Sequence, residues 1–122
     1  MQQNNKKNIL YVDDEEINLS LFELTFNSLY NILTATSGNA GLEILETHQI
    51  DIVISDMKMP LMDGLTFIQK IKERRPALPC LILSGYQLTE PVRKAIASKI
   101  IIAYIMKPFK KGQLVELIEK YD

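Results

Sequence analysis

The chain of 122 residues is short of several residue types, and each shortage excludes a class of protein. Its one cysteine, Cys80, lies in an apolar strand-like segment, where we expect a buried thiol in a reducing compartment. The only histidine, His48, has no companion for a metal site, and we assign it no function. No apolar run approaches the ~20 residues of a membrane-spanning helix.

Net charge, the first residues and the length narrow the possible partners, the location and the number of domains. The formal net charge of −1 gives no overall attraction to nucleic acid or to anionic membranes, so we expect neither as a direct partner. The first seven residues, 1–7, lack the apolar region of a signal peptide, and we expect a cytoplasmic protein. The length predicts a single domain over 1–122, with a flexible N-terminus at roughly 1–6.

Apolar segments typical of strands alternate five times with segments typical of helices. The predicted strands are 8–12, 30–35, 52–55, 79–83 and a fifth within 100–106. Predicted helices span about 15–28, a segment after 37–39 to about 48, 64–75, a segment after Thr89, which can cap it, and about 110–121. This alternation with short connections predicts an α/β fold with a five-stranded parallel sheet and helices on both faces.

The first predicted helix carries two apolar stripes. The stripe expected to face the core comprises Phe22, Phe26 and Leu29. The second stripe lies roughly a third of a turn or more away and comprises Ile17, Leu21 and Leu24. This second stripe is either core at the flank of the helix or a face that binds a partner, and the helical pattern alone leaves both interpretations open.

Reactive side chains follow the predicted strands. The first strand delivers Asp13 and Asp14, the third Asp56, the fourth Ser84 and the fifth Lys107. Ligands of an open parallel sheet bind outside the carboxyl ends of its strands, so these side chains should meet. Magnesium, a hard cation that also binds phosphate oxygens, would relieve the repulsion between three carboxylates. Lys107 and Ser84 would then face a phosphoryl group, and Asp56 could accept it as an aspartyl phosphate.

These motifs resemble the receiver domain of two-component response regulators over essentially the whole chain. The matching segments are Val12-Asp13-Asp14-Glu15, Ser55-Asp56-Met57-Lys58-Met59-Pro60, Asp63-Gly64, Ser84-Gly85, Tyr104 and Lys107-Pro108-Phe109. The resemblance implies a flavodoxin-like sheet of order 2-1-3-4-5 and a cis bond between Lys107 and Pro108. It further implies a switch that catalyses its own phosphorylation and dephosphorylation, and not an enzyme that turns over a small substrate.

The resemblance also implies roles for the acidic residues. Asp56 would accept a phosphoryl group from a phosphohistidine on a sensor histidine kinase or a phosphotransfer protein. Asp14, Asp56 and the backbone carbonyl of Lys58 would bind Mg²⁺ directly, and Asp13 would bind it through water. The first helix is where kinases dock in this family, which favours Leu24 and its stripe as a partner-binding face.

The remaining roles concern the output of the switch. Ser84 and Lys107 would bind the phosphoryl oxygens, and Tyr104 would swing inward as Ser84 moves. That movement would change the face made by helix 4, strand 5 and helix 5, through which a homodimer or an unknown effector could bind. Lys58 and Tyr86 lie two residues beyond the acceptor and the hydroxyl, and neither is a good water-orienting acid or amide. We therefore predict slow self-hydrolysis.

The chain departs from the family pattern after the fourth helix. A glycine usually ends that helix, whereas residues 98–103 read Ser-Lys-Ile-Ile-Ile-Ala. Without a glycine to adopt a left-handed conformation, we expect an irregular helix end. The three consecutive isoleucines are expected to extend the output face, which would alter the usual dimer geometry.

Three other functions fit the residues of this sequence less well. An aspartate-nucleophile phosphatase needs a second aspartate just after the nucleophile, where this chain has Lys58. It also needs a cap domain to exclude water, and the chain has no spare length for one. A flavin-binding module of the same topology needs a phosphate loop rich in Ser, Thr and Gly in place of acids. A degenerate receiver that only binds proteins would not need the complete set of acids, acceptor, hydroxyl and lysine.

Overall fold

Strands and helices alternate along the part of the chain that this computed structural model describes, residues 6–121. The strands are β1 (Asn8–Val12), β2 (Asn31–Ala35), β3 (Ile52–Ser55), β4 (Cys80–Ser84) and β5 (Ala103–Met106). The helices are α1 (Glu16–Phe26), α2 (Gly38–Thr47), α3 (Gly64–Arg74), α4 (Glu90–Ala97) and α5 (Lys111–Glu119). Every predicted element is present, and the bounds differ from the prediction by a few residues.

The strands form one parallel sheet in the order β2-β1-β3-β4-β5, which confirms the predicted topology. The register aligns the carboxyl ends of the strands, because Val12 pairs with Ser55 and Ser84 pairs with Met106. The residues that follow these strands therefore reach the same edge of the sheet. This edge carries the acidic, hydroxyl and lysine side chains predicted to form the site.

Helices cover both faces of the sheet and divide the core into two layers. Alternate residues of β1 show the division, because successive side chains of a strand point to opposite faces. Leu10 and Val12 pack with the buried residues of α2, α3 and α4. Ile9 and Tyr11 pack with the buried residues of α1 and α5. Burial on both faces explains why the strands are almost continuously apolar.

The buried residues of α1 differ in part from the predicted core stripe. Phe22 and Phe26 are buried as predicted, and Leu19 joins them. The prediction for Leu29 is wrong: its side chain is 43 % exposed, because α1 ends at Phe26 and Leu29 lies beyond it. The second stripe is exposed, and its members are Ile17 at 68 %, Leu21 at 54 % and Leu24 at 72 %. Its interpretation as flanking core is therefore wrong.

The end of α4 is regular, contrary to the prediction. Lys99 adopts the left-handed conformation, with φ of 66°, that glycine usually provides. The Lys99 N–H donates to the Ile96 carbonyl at 3.0 Å, and the Ile100 N–H donates to the Ala95 carbonyl at 2.8 Å. This pair of bonds is a Schellman motif. Ile101 is buried, so the prediction that all three isoleucines extend the surface is also wrong.

Thr89 is the N-cap residue of α4, but its side chain makes no capping hydrogen bond. Cys80 is buried as predicted, and burial raises the pKa of its thiol to about 12. Within residues 6–121, no helix combines the length and the apolar character that crossing a bilayer requires. The predicted flexible segment 1–6 lies outside the described residues except for Lys6, whose ammonium donates to the Asn27 carbonyl at 3.2 Å.

Candidate functional site

Asp13 lies at the end of β1 and is fully buried. Its Oδ2 atom accepts hydrogen bonds from the Tyr11 hydroxyl at 2.8 Å, the Asn18 amide at 3.2 Å and the Lys107 ammonium at 3.2 Å. Its Oδ1 atom accepts a bond from the backbone N–H of Glu15 at 3.0 Å. A buried carboxylate is tolerated only when it is hydrogen-bonded and paired with opposite charge, and Asp13 has both kinds of partner.

Asp56 follows β3 and is partly buried beside Asp13. Its backbone N–H donates to the Val12 carbonyl at 2.9 Å, which ties the acceptor to the end of β1. Its Oδ1 atom accepts the Met57 N–H at 2.9 Å and lies 3.7 Å from the Lys107 ammonium. Burial raises the pKa of Asp56 and the charge of Asp13 adds to this, whereas Lys107 lowers it; the net direction is upward. Asp56 therefore carries a charge that its surroundings only partly compensate.

Three carboxylates meet at this point. Asp13, Asp14 and Asp56 each offer an oxygen atom, and these atoms lie within 4.8 Å of one another. Asp14 is exposed and Asp13 is buried, so the cluster opens to solvent on one side. Its ligands are all hard oxygen atoms, the kind that Mg²⁺ and Ca²⁺ prefer. The cluster thus suits a divalent cation, and the further ligand predicted from Lys58 stays a prediction.

The loop from β3 to α3 is shaped by a close backbone approach at Gly64. A Cβ atom at this position would lie 2.2 Å from the backbone oxygen of Asp56, a distance that real Cβ contacts essentially never show. The Gly64 N–H donates to the Met57 carbonyl at 2.8 Å. Asp63 caps α3, with its carboxylate accepting the Thr66 N–H at 2.8 Å. The Asp-Gly pair therefore closes the loop directly against the acceptor.

Ser84 ends β4 and is fully buried. Its Oγ atom accepts the Tyr86 N–H at 3.1 Å, and its backbone carbonyl accepts the Lys107 N–H at 2.7 Å. The Tyr104 hydroxyl donates to the backbone carbonyl of Tyr86. The bond between Lys107 and Pro108 is cis, as predicted. The structure thus brings Ser84, Lys107 and Tyr104 into one connected network, although the functional roles predicted for them stay predictions.

The sequence reasoning missed three side-chain contacts at the site. Tyr11 and Asn18 both donate to Asp13, and the Lys58 ammonium lies 4.8 Å from the centroid of the Tyr86 ring. A signal existed for Tyr11, because residues two apart on a strand point to the same face and Tyr11 precedes Asp13 by two. The other two contacts join different elements, so no local spacing indicates them.

Comparison with known proteins decides the family. The sequence model of the response regulator receiver domain matches residues 9–119. The chain belongs to this family. This receiver domain is 33 % identical over 112 residues to the transcriptional regulatory protein GlrR of Escherichia coli K12, a match that covers 91 % of this chain and 25 % of GlrR. It is 35 % identical over 83 residues to the autoinducer 1 sensor kinase/phosphatase LuxN of Vibrio campbellii, covering 67 % of this chain and 10 % of LuxN.

Solved structures share the fold of this receiver domain. A response regulator receiver domain protein from Clostridium thermocellum is 30 % identical, with a TM-score of 0.86 and coverage of 93 % of this chain and 92 % of that one. The signal receiver domain of an HD domain-containing protein from Pseudomonas fluorescens Pf-5 is 26 % identical, with a TM-score of 0.88 and coverage of 96 % and 94 %. The receiver domain thus matches isolated receivers over most of their length, but spans about a quarter or less of GlrR and LuxN.

Proposed function

We propose that this receiver domain is a phosphoacceptor switch, in which Asp56 takes a phosphoryl group from a phosphohistidine on a sensor kinase or a phosphotransfer protein. One observation carries the proposal: the partly buried Asp56 carboxylate lies within 4.8 Å of two other carboxylates and 3.7 Å from the Lys107 ammonium. Carboxylates form covalent phosphoryl intermediates when nearby positive charge stabilises the transferring group.

The transfer is a displacement at phosphorus. An Asp56 carboxylate oxygen forms the new P–O bond as the P–N bond to the donor imidazole breaks. The imidazole nitrogen leaves with the bonding electron pair. Lys107 would stabilise the negative charge on the phosphoryl oxygens, and the Ser84 hydroxyl would donate a hydrogen bond to them. The phosphoryl group stays on Asp56 until water attacks the phosphorus, which releases inorganic phosphate and restores the carboxylate. The domain would therefore act as a switch that dephosphorylates itself, and not as a turnover enzyme.

Magnesium is the cation that this proposal assigns to the acidic cluster. Asp14, Asp56 and the Lys58 carbonyl would hold it directly, and Asp13 would hold it through water. When bound, Mg²⁺ supplies positive charge that offsets the carboxylates and the phosphoryl oxygens. The absence of sulfur and imidazole from the described cluster supports a hard cation.

In the proposed switch, a change in the hydrogen bonds of Ser84 releases Tyr104 through Tyr86. The Ser84 hydroxyl now accepts the Tyr86 N–H, and Tyr104 is held by the Tyr86 carbonyl. If the hydroxyl turns toward a phosphoryl group, Tyr86 loses a partner and the bond that holds Tyr104 is released with it. The face formed by α4, β5 and α5 would then change, and an effector or a second copy of the chain would bind there.

The partner that supplies the phosphoryl group would dock on α1. The exposed stripe of this helix comprises Ile17, Leu21 and Leu24. A groove beside the stripe is lined by Leu21 and Thr25 of α1 and by Pro108 and Phe109 of the loop after β5. Lys107 also lines this groove, so a partner bound there would be close to the phosphoryl-binding residues.

Relatives of this receiver domain occur in proteins of different types, so more than one kind of output is compatible with it. GlrR is by name a transcriptional regulatory protein, and LuxN is by name a sensor kinase/phosphatase. Related segments thus occur in proteins with different outputs. We place the domain in the cytoplasm, a location supported by the buried free thiol of Cys80.

Acetyl phosphate tests the proposed acceptor without a kinase. Incubation of the chain with acetyl phosphate and Mg²⁺, followed by intact mass measurement, is expected to show the gain of one phosphoryl group. The gain should disappear in Asp56→Asn and persist in Asp51→Asn, which removes an exposed carboxylate elsewhere. No gain over a wide range of Mg²⁺ concentrations would overturn the proposal and favour a degenerate receiver.

A further inference from the structure

The Lys107 ammonium is shared between two carboxylates. It lies 3.2 Å from Oδ2 of Asp13 and 3.7 Å from Oδ1 of Asp56. Phosphoryl transfer to Asp56 requires this ammonium to turn toward the new phosphoryl oxygens. Asp13 is fully buried, so bulk solvent does not reach the oxygen that the ammonium leaves, and a water that joins Asp13 to a bound cation would already be engaged there. A buried carboxylate that loses a donor is costly, and that cost would hold Lys107 at Asp13.

The Tyr11 hydroxyl provides the Asp13 oxygen with another donor besides Lys107, on a side chain that packing holds in place. The Tyr11 ring is buried between strand and helix and stacks on Phe22, with centroids 4.1 Å apart and planes inclined by 15°. Its hydroxyl donates to Asp13 Oδ2 at 2.8 Å, the shortest of the three bonds to that oxygen. Asn18 is a second donor, and its amide also contacts Glu15 Oε1 at 3.2 Å.

We propose that Tyr11 is a positioning residue for phosphoryl transfer: its hydroxyl keeps Asp13 hydrogen-bonded, so that Lys107 can turn toward the phosphoryl group on Asp56. The inference rests on the function proposed above and adds a residue to it. Tyr11 acts through Asp13 and touches neither the acceptor oxygen nor the phosphoryl group. Asn18 supports the same oxygen from the first part of α1.

Tyr11→Phe isolates the hydroxyl, because phenylalanine keeps the ring and its stacking on Phe22. With acetyl phosphate and saturating Mg²⁺, we expect the phosphorylation rate to fall at least about tenfold, since a hydrogen bond to a charged group is lost. The affinity for Mg²⁺, measured directly by NMR titration without a phosphoryl donor, should not weaken. Without the Tyr11 hydroxyl, the Asp13 carboxylate accepts one hydrogen bond fewer from the protein, so its negative charge is less compensated.

The chain offers a matched control in Tyr30. This residue is also buried, and its hydroxyl donates to a carboxylate oxygen, Oε2 of Glu119, at 2.7 Å. Tyr30→Phe therefore removes a hydroxyl–carboxylate bond of similar length away from the site, to a carboxylate that is exposed. It should change neither the phosphorylation rate nor the Mg²⁺ affinity. Asn18→Leu removes the second donor to Asp13 and should lower the rate in the same direction as Tyr11→Phe.

The outcomes separate the inference from the function on which it rests. If the wild-type chain gains no phosphoryl group, the proposed function fails. If it is phosphorylated and Tyr11→Phe reacts equally fast, only the role of Tyr11 is overturned. A slower reaction with a parallel loss of Mg²⁺ affinity would also overturn it, because that result indicates a distorted acidic cluster. Should Tyr11→Phe fail to fold, Tyr11→Leu takes its place, since it also lacks the hydroxyl, and a rate equal to that of the wild type would overturn the inference.

Discussion

The ammonium of Lys58 lies over the ring of Tyr86, 4.8 Å from its centroid. The contact joins the loop after β3 to the loop after β4. Each residue stands two positions beyond a site residue, Asp56 in the first case and Ser84 in the second. Both side chains are exposed, so the cation–π attraction is worth about 0.5–1 kcal/mol. The two loops that carry the acceptor and the hydroxyl are thus linked at the surface.

Loss of this contact is expected to shorten the life of the aspartyl phosphate. Tyr86→Ala should speed hydrolysis about two- to fivefold, the factor that corresponds to the loss of an exposed cation–π contact. The measurement is the decay of phosphorylated protein, followed by intact mass after removal of the donor. Tyr86→Phe keeps the ring face and should decay like the wild type. Equal decay of the Ala and Phe variants, or wild-type decay within seconds, would contradict the expectation.

Asp56 should make stability fall as pH rises. The pKa of its carboxyl is raised in the folded state, chiefly by burial, above the value near 4 of an unfolded aspartate. The folded state therefore binds more protons between these two values, and the free energy of unfolding decreases with rising pH in that interval. Asp56→Asn removes the charge and should be more stable than the wild type at pH 7.

Urea unfolding in the presence of a chelator checks this expectation. The difference between Asp56→Asn and the wild type should be large at pH 7 and small near pH 3.5, where the unfolded carboxyl is also protonated. Glu43→Gln removes one negative charge from the exposed surface of α2 and controls for net charge. A difference that is equal at the two pH values would show that burial of the Asp56 charge is not its cause.

Lys99→Gly is expected to stabilise the fold. Lys99 holds the left-handed conformation at the end of α4, which costs a residue with a Cβ atom about 1–2 kcal/mol. Glycine removes that cost but loses more entropy on folding, so the net gain should be about 0.5–1 kcal/mol. Thermal and urea unfolding measure it. Lys99→Ala retains the Cβ atom and should leave stability nearly unchanged; a similar gain in both variants would point to the lost charge.

Leu24→Arg tests α1 as the docking face. In a kinase assay with a sensor kinase that phosphorylates the wild-type chain, we expect phosphotransfer to fall at least about tenfold, in the range of a truncated interface anchor. Phosphorylation by acetyl phosphate should be unchanged, which shows that the site is intact. Leu29→Arg places the same charge on another exposed leucine beyond the end of α1. An unchanged kinase reaction in folded Leu24→Arg would exclude this face.

Much of the architecture could be predicted because it depends on local pattern. The strand β3 spans Ile52–Ser55, the segment that the sequence pattern predicts. Parallel pairing then brings the residues after each strand to one edge, so the meeting of Asp13, Asp56 and Lys107 follows from topology.

Other features could not be predicted because they depend on packing between distant segments. The sequence pattern predicted a helix over about 15–28 with Leu29 in its core stripe, but α1 ends at Phe26 and the turn that leads to β2 begins there. The regular end of α4 requires a lysine in a conformation that its sequence disfavours, and the burial of Ile101 offsets part of that cost. The donors that surround Asp13 come from β1, α1 and the loop after β5, and only the folded chain brings them together.

The backbone bond between Lys107 and Ser84 has a consequence for how the site tolerates change. The Lys107 N–H donates to the Ser84 carbonyl at 2.7 Å, directly beyond the pairing of Ser84 with Met106. The two residues predicted to bind the phosphoryl group are therefore both positioned by the pairing of β4 with β5. A shift in the register of β5 would displace the cation and the hydroxyl together, and replacing either side chain alone could not restore their alignment.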